Sequence, residues 1–151
     1  MATRLICTFM VDKLHLGVDV AHVQEVLRGQ DMTEVPLAPP AVRGLINLRG
    51  QIVTALDMRR RLQIPPPVSD ETPMNVIVQS AGSVVSLLVD SIGDVEDVSE
   101  DSLEPAPETL DEETRGVVTW VCKLKKGLLL IVDPHAIIDG LLRDPNTTEK
   151  N

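Results

Sequence analysis

The sequence predicts a mainly β protein made of two copies of one small sheet unit, each ending in a helix. Short apolar runs alternate with tight-turn residues along most of the chain. The halves also echo one another. Arg43-Gly44, an apolar strand, Gly50, a second apolar strand and Asp57 before a helix are matched by Arg115-Gly116, a strand, Gly127, a strand and Asp133 before a helix. Leu16-Gly17-Val18-Asp19, followed by Val23 and Val26, is matched by Leu87-Leu88-Val89-Asp90, followed by Val95 and Val98. Chance likeness between β-hairpins is the competing explanation, but repetition accounts for the order of features more economically. A unit of about 70 residues barely buries enough core alone, so the copies are expected to share an apolar interface. The expected organisation is one domain over 1–151, with halves of about 12–64 and 73–133 and the terminal segments completing them.

Each element has a local reason. Leu5 to Val11 is apolar on both faces, while Leu14, Leu16 and Val18 alternate with polar or small residues, so the two runs read as a hairpin around Asp12-Lys13. Asp19 can accept the free N–H groups of a first helical turn, and Val20, Val23 and Leu27 fall at helical spacing, which predicts a short helix. A β segment around Met32 to Leu37 ends at Pro39-Pro40, which offer no N–H to a ladder. Between Val42 and Asp57 two apolar stretches meet at Arg49-Gly50, giving strand, turn, strand, and Asp57 caps a helical turn through Leu62.

Pro65-Pro66-Pro67 and the polar stretch to Thr72 form a stiff linker. Met74 to Gln79 and Ser83 to Val89 then make a hairpin across Ala81-Gly82, and Ile92 to Val98 reads as another strand. Ser99 to Arg115, acidic and proline-containing, reads as a loop or short exposed helix. Gly116 to Leu124 and Leu128 to Val132 form the last hairpin, around Lys125-Lys126-Gly127. Asp133-Pro134 supplies a cap and a first-turn proline for a helix with Ile137, Ile138, Leu141 and Leu142 on its apolar face.

Composition excludes several functions. The 151 residues carry 14 Lys and Arg against 23 Asp and Glu, a formal net charge of −9, so the whole surface does not suit nucleic acid or anionic lipid. Phe9 and Trp120 are the only aromatics, too few for base stacking. No apolar run approaches the roughly 18–20 residues of a membrane span, and the N-terminus lacks the features of a signal peptide. Cys7 and Cys122 sit inside apolar runs and read as buried free thiols of a cytoplasmic protein.

No catalytic constellation is visible. His15, His22 and His135 form no metal-binding pair, neither cysteine has a Cys-x-x-Cys partner, and no nucleophile elbow or phosphate loop occurs, so neither cofactor nor metal is expected. Asp57, Asp90 and Asp133 end apolar strands, as active-site carboxylates often do, but capping explains Asp57 and Asp133. Charge is uneven: Arg43, Arg49, Arg59, Arg60 and Arg61 cluster, while Asp90 to Glu113 contains many acids and no Lys or Arg. That polarity suggests a molecule docking two differently charged partners.

Val23-Gln24-Glu25-Val26, the run Arg43-Gly44-Leu45-Ile46-Asn47-Leu48-Arg49-Gly50-Gln51-Ile52-Val53 with Leu56-Asp57-Met58-Arg59, and Val89-Asp90-Ser91-Ile92-Gly93-Asp94-Val95 together resemble the CheW-like adaptor family of bacterial chemotaxis, from about Leu5 to Leu142. The resemblance implies two packed, five-stranded, SH3-like β-barrels. It implies a non-catalytic, cytoplasmic adaptor joining the tips of methyl-accepting chemoreceptors to the regulatory domain of a CheA histidine kinase in arrays. The family's receptor-binding groove maps onto Val23, Val26, Ile92 and Val95, bordered by Glu25, Asn47, Arg49 and Gly50. Apolar residues there suit the stripe of a helical hairpin, and Arg49 a forked pair with a receptor carboxylate. The kinase contact maps onto Val117, Val121, Leu128 and Leu130. Gln51 in place of an aliphatic residue, the scarcity of aromatics and the acidic 94–113 stretch depart from the pattern. They leave open a pilus, motility or developmental pathway. From other classes, a small-ligand β-barrel, a hydrolase using Asp57 or Asp90, and a disfavoured RNA-binding barrel remain as alternatives.

Overall fold

A computed structural model describes residues 2–69 and 71–142, the side chains of 140–142 excepted. In chain order the strands are β1 (Thr3–Val11), β2 (Leu14–Asp19), β3 (Val23–Leu27), β4 (Val42–Leu48), β5 (Gln51–Asp57), β6 (Met74–Ser80), β7 (Ser83–Val89), β8 (Ser91–Ser99), β9 (Leu103–Glu104), β10 (Val118–Leu124) and β11 (Gly127–Val132). The helices are α1 (Met58–Arg61), α2 (Glu112–Arg115) and α3 (Pro134–Leu142). The turn residues chosen by the sequence make the hairpins. Arg49 and Gly50 have φ of +53° and +88°, and Ala81 and Gly82 +50° and +84°. Two successive positive φ values match the right-handed twist of the flanking strands.

One sheet has the order β8-β1-β2-β11-β10-β9 and the other β3-β6-β7-β5-β4. The protein is therefore mainly β, with one sheet of six strands because the two-residue β9 adds to the expected five. In each sheet one hairpin pairs antiparallel with an edge strand and parallel with a strand distant in sequence: β1 with β8 and β2 with β11, β6 with β3 and β7 with β5. The internal repeat is visible at single residues. A bulge falls between Val42 and Gly44 in one copy and between Val118 and Trp120 in the other. Asp57 donates its N–H to the Ala41 carbonyl at 2.7 Å, and Asp133 its own to the Val117 carbonyl at 2.9 Å.

The sheets do not follow the expected halves. β1 and β2 lie in the sheet with β8 to β11, and β6 and β7 in the sheet with β3 to β5, so each repeat lends its hairpin to the other's sheet. A boundary drawn at 64–73 cuts through the second sheet. The reason is pairing: β8 and β3, one edge of each sheet, find their ladders on hairpins outside their own halves.

Alternation of side chains then creates three apolar layers. One inner face packs Ile46, Leu48, Val53, Ala55, Ile77 and Leu88. The other packs Ile6, Val98, Cys122, Leu129 and Ile131. The largest layer lies between the sheets and draws on both, with Phe9, Leu16 and Leu130 from one meeting Leu56, Val76 and Leu87 from the other. Met58 and Leu62 at α1 and Ile137 of α3 plug its margins. Each sheet curls round its own inner core as an SH3-like barrel. Among the described residues no ladder joins its first strand to its last, so each barrel is open.

Three local expectations change. Val23–Leu27 is a strand rather than a helix, because β6 supplies a ladder; the helical part shrinks to a 3-10 turn, Val20–His22, capped by Asp19. Met32 to Leu37 contributes only an isolated bridge, Thr33 to Leu45. The 99–115 segment holds β9 and the short α2, whose Thr114 is buried. The Asp133 carboxylate takes the His135 N–H at 3.0 Å as expected of a cap, and Ile137 is buried. The Leu141 and Leu142 side chains lie outside the described residues.

Candidate partner-binding surface

Strand register decides which way the motif residues face. Val23 and Val26 of β3 stand opposite Val78 and Val76, which belong to the layer between the sheets. Ile92 and Val95 of β8 stand opposite Phe9, in that layer, and Cys7 on the same face. All four aliphatics are thus on the faces turned towards the seam, on an edge strand of each sheet. Val23 and Ile92 pack onto the buried layer, Val26 is half-buried, and Val95 is 58% exposed.

The two edges are linked through the chain. The Val20–His22 turn, held by the Asp19 carboxylate on the Ala21 N–H at 2.9 Å, packs on both β1 and β6 and so crosses the seam. Val20 in this turn and Leu5 in β1 are exposed. The Ile6–Asp19 pair is the last rung before them, which puts Val20 beside Leu5. Sequence reasoning missed both residues, since Leu5 opens an apolar run and Val20 falls on the apolar stripe of the expected helix, and both read as core; the structure leaves them exposed. An aliphatic strip therefore runs from Val26 and Val23 through Val20 and Leu5 to Val95.

Glu25, Asn47, Arg49 and Gly50 act as one unit, with Glu25 opposite Ile77 of the inner layer and so on the face of β3 turned away from Val26. Arg49 Nη1 and Nη2 donate to the two Glu25 carboxylate oxygens, both at 2.6 Å. Asn47 Oδ1 accepts the Gly50 N–H at 2.8 Å, bracing the turn that carries Arg49. The fork expected for a partner's carboxylate is filled by Glu25, whose own carboxyl is held below its ordinary range chiefly by the hydrogen bond from Arg49. The ion pair joins the first strand of its barrel to the turn beside the last. The other barrel repeats the device, with Lys126 of the β10–β11 turn 3.4 Å from Glu96 of β8.

Three of the four residues mapped to the kinase contact are not at the surface. Val117, Val121 and Leu130 are fully buried in the layer between the sheets, since alternation turns them inward. Leu128 alone is exposed. The clustered arginines are likewise not an open basic patch: Arg43 pairs with Asp57, Arg59 with Asp90, Arg60 with Asp57 and Arg61 with Glu113. Three of these four pairs join residues well separated in sequence, out of reach of a linear reading.

The carboxylates considered for hydrolysis are occupied. Asp57 accepts the Arg59 and Arg60 N–H groups, and Asp90 takes a fork from Arg59 at 3.0 and 2.7 Å. A depression of about 460 Å3, lined in part by Met32, Arg43, Arg59 and Leu88, lies away from the aliphatic strip. Among the described residues no cluster of His, Cys, Asp or Glu could hold a metal, and no helix is long and apolar enough to cross a membrane. Cys7 and Cys122 are buried and unpaired with each other, and burial pushes the Cys7 thiol up.

The model of the CheW-like domain matches residues 6–141. The chain belongs to the CheW-like family. Among its relatives is "Chemotaxis protein CheW" of Bacillus subtilis (strain 168), 33% identical over 132 residues that cover 87% of this chain and 84% of that protein. "Chemotaxis protein CheW" of Thermotoga maritima is 27% identical, covering 90% and 88%. In fold, the crystal structure of scaffolding protein TtCheW from Thermoanaerobacter tengcongensis superposes with a TM-score of 0.81 at 28% identity, over 90% of this chain and 92% of that one. This CheW-like chain is a non-enzymatic chemotaxis adaptor.

Proposed function

We propose that this adaptor couples the cytoplasmic tips of chemoreceptors to a CheA-type histidine kinase at membrane-associated arrays, and that the aliphatic strip across the seam receives the receptor. The observation that carries the reading is the strip itself: Val23, Val26, Ile92 and Val95 lie on seam-facing edges of two sheets, with exposed Val20 and Leu5 between them. A helical hairpin offers its own apolar stripe at i, i+3 and i+4, which suits a narrow strip. Glu25, Asn47, Arg49 and Gly50 position the rim of the receptor site. Leu128 is the residue of the second barrel available to the kinase, while Val117, Val121 and Leu130 are buried.

Pull-down with a receptor signalling tip and, separately, with the kinase regulatory domain tests this. Val26→Asp puts a charge on the strip, and Arg49→Glu sets two carboxylates face to face. Each is expected to lower receptor capture at least tenfold while the chain remains folded by circular dichroism. Leu128→Asp is expected to lower kinase capture and spare the receptor. Full receptor capture by both folded variants would refute the assignment of the strip.

A further inference from the structure

The strip is electrically one-sided. On the β3 side Glu25 is neutralised by Arg49, and its neighbour Gln24 is uncharged, with Nε2 donating to Gln79 at 3.2 Å. On the β8 side Asp97 stands opposite exposed Leu5 in the ladder, on the same face as Val95. Asp97 and Asp101, one turn beyond the strand, are exposed and have no cation among the described residues. The nearby cations are engaged: Arg4 with Glu100 at 3.1 Å, and Lys126 with Glu96 and Asp94. The Leu5–Val95 face is therefore an unpartnered apolar sheet face with a free negative rim on one side only.

Building on the receptor-site reading above, we propose that the occupant of this surface is a segment whose apolar ridge is flanked on one side by Lys or Arg, and that Asp97 and Asp101 fix its orientation by drawing that basic side towards β8. An apolar strip alone lets a helical ridge lie in either direction. A carboxylate rim on one side makes the two directions unequal, and charge complementarity sets orientation and partner choice more than total affinity. Such an interaction is screened by salt, because both acids face solvent.

The test uses the full chain and two designed helical peptides with the same Leu/Ile ridge, one flanked by Lys and the other by Glu, with binding followed by fluorescence anisotropy. The Lys-flanked peptide is expected to bind roughly tenfold tighter at 50 mM NaCl, a preference that falls to about twofold at 0.5 M. In the Asp97→Lys/Asp101→Lys variant the preference is expected to vanish or reverse. Both substitutions are on the surface, and matching thermal unfolding checks that the fold is retained. Equal binding of both peptides, or an unchanged preference in the variant, would overturn the charge rule alone. Binding of neither peptide to the wild-type chain would overturn the strip as a docking site and this proposal with it.

Discussion

Arg59→Ala removes a half-hidden anchor between the barrels, and the structure sets the size of the effect. The guanidinium forks onto Asp90 at 3.0 and 2.7 Å, donates to the Pro65 carbonyl at 2.6 Å, and lies 3.6 Å from Asp12 in the β1–β2 turn. Asp90 also accepts the Asp12 N–H at 2.6 Å, so the cluster ties α1 and the end of β7 in one sheet to a turn of the other. Breaking a buried ion pair costs about 3–5 kcal/mol, and an exposed pair contributes about 0–1. The Arg59 side chain is 14% exposed and that of Asp90 31%, which places the loss between these limits, at about 2–3 kcal/mol. For a chain of this size that is a fall on the order of 5–10 °C in Tm.

The same pair gives the effect a pH signature. The hydrogen bond from Arg59 holds the Asp90 carboxyl below its ordinary value. A depressed folded-state pKa adds stability that is present above the unfolded value, near 4, and is lost as pH falls through the folded value. The wild-type advantage over Arg59→Ala should therefore be full at pH 7 and shrink below about pH 4. Urea unfolding at both pH values measures it, and a double-mutant cycle with Asp90→Ala isolates the coupling. An equal cost at pH 7 and pH 3, or additive costs in the cycle, would show that the pair is not what holds this junction.

Two further perturbations probe the packing. Phe9→Ala empties the largest fully buried side chain of the layer between the sheets and is expected to cost about 3–5 kcal/mol in urea unfolding, with both barrels melting together. Gly44→Ala places a Cβ about 2.7 Å from the Thr33 carbonyl oxygen, so the Thr33–Leu45 bridge must open. Faster amide exchange at Thr33 and Leu45, with the ladder of β6 and β7 unchanged, is the expected result.

Local chemistry made much of this fold legible. Arg49-Gly50 and Ala81-Gly82 announced their hairpins, and Asp57 and Asp133 their caps, because those features depend on a few adjacent residues. Val23 to Leu27 misled because five residues spaced for one turn of helix also suit a strand, and only the distant β6 decides between them. The exchange of hairpins had no local sign, since the parallel pairs β2–β11 and β5–β7 join strands far apart in sequence. At the surface, the motif pointed to Val23, Val26, Ile92 and Val95 as candidates, and register places them on seam-facing edges. The exposure of Leu5 and Val20 had no local sign, and the arginine cluster looked basic until Asp90 and Glu113 came into contact with it.

The reciprocal loan of hairpins also orders events during synthesis. Residues 23–89 contain every strand of the five-stranded sheet, which can assemble as soon as that stretch has left the ribosome. The first hairpin emerges earlier still, yet its parallel neighbour is β11, among the last strands translated. Its inner face must wait, with Ile6 uncovered, until Leu129 and Ile131 have been made. Nascent chains stalled before residue 127 should therefore expose a sticky N-terminal ribbon, the segment a chaperone has most reason to guard.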